Sequence, residues 1–74
     1  MNDQQLIRMA NSIGDFFAAV PDADEARHDL AAHIGRFWAP RMRRGILEHI
    51  DRTGGDGLQV MVLQALLEHR GQLT

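Results

Sequence analysis

Apolar side chains recur along this chain at helical spacing, and nowhere in the strict alternation of a half-buried strand. Leu6, Met9, Ala10, Ile13, Phe16, Phe17 and Val20 form a first stripe, with Asp3, Gln4, Arg8, Asn11, Ser12 and Asp15 filling the opposite side. The pattern predicts a helix over about 3–20, capped by Asn2 or Asp3 and stopped ahead of Pro21. Gly14 lies inside it and permits a close helix crossing. A second stripe, Ala26, Leu30, Ile34 and Phe37, predicts a helix over about 24–38, with Asp22 or Asp24 as cap, Glu25 in its first turn and His33 beside the stripe. Pro40 ends it and suits the first turn of a third helix, 40–53, with Met42, Ile46, Leu47 and Ile50 inward. Ala39 is a poor cap, so a kink or tight corner is expected there. Thr53-Gly54-Gly55-Asp56-Gly57 reads as a turn, with Gly54 ending the helix.

The fourth helix, about 58–70, differs from the others. Leu58, Met61, Val62, Ala65 and Leu66 make one stripe, but Val60, Leu63 and Leu67 lie outside it. A helix apolar nearly all round asks to be covered on both sides, by the rest of a bundle, a partner or a second copy. The fold expected is all-α: one domain over 1–74, a small four-helix bundle with short loops.

Length makes that bundle marginal. In a chain of 74 residues, apolar burial and ordering entropy nearly cancel, so domains of this size commonly lean on disulfides, a metal or a partner. There is no cysteine, which removes disulfides and thiolate metal sites. No apolar run follows a basic start, and no stretch approaches the roughly 20 apolar residues of a membrane span. A cytoplasmic protein without signal peptide or membrane contact is expected. The formal charge of −2 implies neither a nucleic-acid nor a membrane partner. Its distribution is more informative. All eight basic residues are Arg, and Arg36, Arg41, Arg43 and Arg44 fall within nine positions, leaving four Arg against ten acids elsewhere.

Most catalytic chemistry lacks its parts. Nucleophilic catalysis needs an activated Ser, Cys, Thr or Lys. The chain has only Ser12, with Thr53 in a loop and Thr74 at the end. His28 and His33 are five apart, off the i, i+3 or i+4 spacing of a helical metal site, and joining Asp24 and Asp29 to His28 describes an ordinary solvated face. The Gly54–Gly57 loop has no Lys and holds an acid that would repel phosphate, so it reads as a turn. No catalytic, cofactor-binding or metal-ligating residue is expected.

What remains is Arg36-Phe37-Trp38-Ala39-Pro40-Arg41-Met42-Arg43-Arg44. It joins the only Trp to a Phe, a Met and four Arg around a proline corner. Trp, Met and Arg are enriched at protein interfaces, and Trp and Arg dominate hot spots. Phe37 lies on the stripe and is expected in the core, and Trp38 is a candidate to close the bundle at the corner. Arg36, Trp38, Pro40, Arg41, Met42, Arg43 and Arg44 are the expected partner-binding residues. Two other uses stay open: a short Arg-bearing helix entering a nucleic-acid groove, against which stands the overall acidity, and self-association.

Leu6-Ile7-Arg8-Met9-Ala10-Asn11, Phe16-Phe17, His33-Ile34, Phe37-Trp38 and Pro40-Arg41-Met42-Arg43 together resemble the delta subunit of cytoplasmic NAD-dependent formate dehydrogenase, over nearly the whole chain. The FW-x-P-R-M-R stretch is the specific part. The resemblance implies a subunit of a complex that oxidises formate to carbon dioxide and reduces NAD. It implies that the molybdenum–pterin cofactor, iron–sulfur clusters and flavin sit in larger subunits. It further implies that this chain supports assembly or stability of the holoenzyme, most directly through the catalytic subunit.

Overall fold

A computed structural model describes residues 2–74. Helix α1 spans Asp3–Phe17, α2 Ala23–Phe37, α3 Pro40–Thr53 and α4 Val60–Glu68, with a 3₁₀ turn at Arg70–Gln72. No strand occurs among the described residues. The architecture is the all-α four-helix arrangement that the periodicity predicts.

Local chemistry sets the starts and stops. Asn2 accepts from the Gln5 N–H at 2.8 Å and Asp22 from the Glu25 N–H at 2.9 Å, so one side-chain oxygen at each start satisfies a backbone donor with no helical partner. Gly54 closes α3 at φ 79°, a left-handed conformation that glycine adopts without a Cβ clash. Helix α1 stops at Phe17, short of the expected 20, and Ala18–Val20 close in turn-like bonds ahead of Pro21. Helix α4 starts at Val60 rather than 58 and stops at Glu68 rather than 70. The chain then tightens into the 3₁₀ turn that drives Leu73, 1 % exposed, into the core.

The core joins Leu6, Ile7 and Ala10 of α1 to Leu30, Ala31 and Ile34 of α2, Ile46, Leu47 and Ile50 of α3, and Val62, Ala65 and Leu66 of α4. Gly14 lies where α1 crosses α4. A Cβ there would stand 2.5 Å from the Val62 Cγ2, so the crossing depends on its absence. No helix is long and apolar enough to cross a membrane among the described residues.

One stripe residue departs from the pattern. Phe37, i+3 from the buried Ile34, is 68 % exposed, whereas Trp38 is 5 % exposed. Pro40 forces the chain off the helix, so Trp38 adopts an extended conformation (φ −79°, ψ 141°). Its indole enters the core beside Leu73 and Ile34, and Phe37 is left outside. Phe37 is therefore not in the core where the stripe placed it, and of the two roles open to Trp38 it takes the one that closes the bundle.

Candidate docking surface

The proline corner is built by the end of α2 and the start of α3. Ala39 gives α3 no side-chain cap, and the first turn holds no acid. Three Arg nevertheless stand at or near that turn: Arg41, Arg43 and Arg44. Partial positive charge gathers at a helix N-terminus, so a cation there is unfavourable unless something compensates.

Arg43 has its compensation inside the fold. Its guanidinium donates to the carbonyls of Trp38 at 2.7 Å, Gly35 at 3.3 Å and Leu73 at 3.1 Å. It thereby ties the C-terminal end of α2, where a cation is favoured, to the last turn of the chain. Met42 is half-buried against the core. So of the seven residues expected to bind a partner, Trp38, Met42 and Arg43 have structural work. Arg36, Pro40, Arg41 and Arg44 are exposed.

Of the four arginines elsewhere in the chain, three are paired within it. Arg52 pairs with Asp3, Arg70 forks onto Asp51 at 2.8 and 3.0 Å, and Arg27 bridges Asp24 and Glu68. The Arg52 guanidinium holds the Asp3 carboxyl below the ordinary carboxylate range, and Arg70 does the same to Asp51. Glu68 raises Arg27, and Asp51 raises Arg70. Among the described residues Arg8, on the exposed side of α1, and Arg36, Arg41 and Arg44, gathered about the corner, enter no such pair. Arg41 and Arg44 line a cleft with Ala39, Met42, Gly45 and Leu6, into which Asp3 and Glu48 also open.

A second exposed feature adjoins the corner, one the helical stripes alone concealed. Phe16 and Phe17 meet edge to face at 5.1 Å, Phe17 meets His33 at 5.8 Å, and His33 meets Phe37 at 4.8 Å. The Arg36 guanidinium lies 6.0 Å from the Phe37 ring centre. His33 thus packs between Phe17 and Phe37. The adjacency of Phe16 and Phe17 is no signal of this row, since the adjacent pairs Leu6–Ile7 and Ile46–Leu47 both enter the core. On α4, Val60 and Leu67 are exposed while Val62, Ala65 and Leu66 are buried, so its outer face is left uncovered.

The remaining candidates are structural. The Thr53 hydroxyl accepts from the N–H groups of Gly55 and Asp56, and the His49 ring nitrogen Nε2 donates to the Asp56 carbonyl at 2.7 Å. The glycine loop is a closed turn. His28 and His69 stack edge to face at 5.5 Å, and no three His, Asp or Glu side chains converge as metal ligands among the described residues.

The family model described as NADH-dependent formate dehydrogenase delta subunit FdsD matches residues 5–66. No curated protein and no solved structure matches the chain.

Proposed function

The chain belongs to the delta subunit family of NADH-dependent formate dehydrogenase, and on that premise we propose that it is a non-catalytic accessory subunit that docks through its proline corner onto an acidic surface of a larger subunit. In this reading it supports assembly or stability of a cytoplasmic complex that oxidises formate and reduces NAD. The molybdenum–pterin, iron–sulfur and flavin groups belong to the larger subunits, and the partner touched is the catalytic one. A chain without cysteine offers no thiolate to an iron–sulfur cluster.

One observation carries the reading. Arg41 sits at the second helical position of α3, at the positive end of the dipole, with no acid in that turn and no ion pair among the described residues. Such a placement costs the isolated chain roughly 0.3–1 kcal/mol. Folding gains nothing from it. A carboxylate presented by a partner would meet both the guanidinium and the helix end, through the bidentate geometry that Arg favours.

The test exploits opposite signs. Arg41→Glu with Arg44→Glu should leave the isolated chain as stable as before or slightly more so, by urea unfolding. The same protein should fail to co-purify with the larger subunits. Unchanged co-purification overturns the assignment of this surface.

A further inference from the structure

We infer that the aromatic row of Phe16, Phe17, His33 and Phe37 seats an apolar segment of the larger partner subunit, and that this segment carries a carboxylate that reaches Arg36. The inference rests on the accessory-subunit reading and deepens it by stating the chemistry of the partner.

Four rings run in continuous contact from the end of α1 to the end of α2, at centre separations of 5.1, 5.8 and 4.8 Å. The two outermost, Phe16 and Phe37, are 74 % and 68 % exposed. The fold does not need them, because Trp38 and Leu73 already close the core at this end. Shallow clefts flank His33, one lined by Ser12, Ile13, Phe16 and Phe17, the other by Phe17, Asp29, Ala32, Arg36 and Phe37. A ridge of rings between two clefts suits side chains from an apolar segment, and aromatic residues in such positions are characteristic interface anchors.

Charge decides among occupants. Arg36 borders the row at Phe37 and has no ion pair among the described residues. Asp29 lines the same cleft but meets the His28 ring at 3.2 Å and makes no ion pair with Arg36, so the guanidinium at the end of the row is open to an outside carboxylate, and a segment bearing Asp or Glu beside its apolar residues complements it.

A second copy of this chain fits less well. Covering Phe16 and Phe37 removes on the order of 300 Å² of ring surface, whereas a stable interface takes about 800 Å² from each partner. That is nearly a fifth of this chain's 4436 Å². Reaching it through the neighbouring corner would bring Arg36, Arg41 and Arg44 of one copy against the same residues of the other across a two-fold axis, which like charges oppose.

The experiment titrates the chain onto the formate dehydrogenase complex purified without it, by calorimetry, and follows the free chain by sedimentation. Phe16→Ala and Phe37→Ala should each weaken binding about thirtyfold, as hot-spot truncations do, with the thermal midpoint of the free chain unchanged. Arg36→Glu should weaken binding and Arg36→Lys should restore most of it. If both phenylalanine variants bind like the parent while Arg41→Glu with Arg44→Glu does not bind, the aromatic row is not the seat and the proline corner stands alone. If the free chain sediments as a dimer that Phe37→Ala dissociates, the occupant is a second copy and this inference falls. If the parent chain does not bind the complex at all, the accessory-subunit reading falls with it.

Discussion

The two inter-helix connections that flank α3 differ in how far they satisfy themselves. The glycine turn is held by side chains of α1 and α3. Thr53 and His49 bond its backbone, and Asn11 reaches across from α1 to donate to the Gly57 carbonyl and accept from the Gln59 N–H, both at 3.0 Å. The proline corner satisfies itself less fully. Its helix start is uncapped, its first turn lacks an acid, and Arg36, Arg41 and Arg44 make no ion pair among the described residues. Both connections are short, and the contrast separates structure from function: one closes the molecule, the other leaves potential for something outside it.

The largest way to break that contrast lies beneath the corner. Trp38 and Phe37 are neighbours in sequence with opposite surroundings. Trp38→Ala should cost about 3–5 kcal/mol by creating a cavity among Ile34, Leu73 and their neighbours. In a chain this small that is enough to leave it largely unfolded at 25 °C. Phe37→Ala should cost little, because an exposed ring has little burial to lose. Urea unfolding of the two variants decides it. Equal costs would mean that the corner's outer ring is structural after all.

That pair also marks what periodicity can and cannot give. The four helices, the Gly54 stop and the Gly14 crossing follow from spacing, turn chemistry and the absence of a Cβ. The placement of Phe37 outside and Trp38 inside does not, because helical spacing describes directions only while the helix lasts, and Trp38 is the first residue off it. Arg43 was legible as one of four clustered arginines, but its three carbonyl acceptors lie at Gly35, Trp38 and Leu73, up to 30 residues away. No local pattern separates it from Arg41 or Arg44. The aromatic row likewise needs two helices side by side before it exists.

The middle test compares one truncation in each connection. Asn11→Ala strips the glycine turn of a donor and an acceptor at once and leaves the Gly57 carbonyl and Gln59 N–H without their partner, so about 1–3 kcal/mol should be lost. Arg41→Ala at the corner should change stability by less than about 0.5 kcal/mol. Hydrogen exchange at Gly57–Gln59 would localise the effect, since the turn should open in the Asn11 variant and stay closed in the other. A cost at Arg41 to match that at Asn11 would show that the corner is held together by contacts of its own.

The smallest effect concerns acid, and it extends the contrast to charge. Asp3 keeps its proton off to lower pH in the folded chain than in the unfolded one, chiefly because the Arg52 guanidinium bonds it, with His49 adding to the effect. A carboxyl lowered in this way contributes stability that is fully present above about pH 4 and is lost as pH falls through its folded value. Asp3→Asn keeps the side-chain shape and removes that contribution. The fall in urea midpoint below pH 4 should therefore be shallower in the variant than in the parent, and Asp51→Asn, opposite Arg70, should act the same way. Both pairs are solvent-exposed, so the difference should shrink in about 1 M salt, where the screening length is near 3 Å. Arg41→Met is the control from the corner. With no ion pair to lose among the described residues, it should leave the acid limb of the stability curve where it was. A shift in that limb would reveal an acid inside this chain serving Arg41, and the case for an external one would fail.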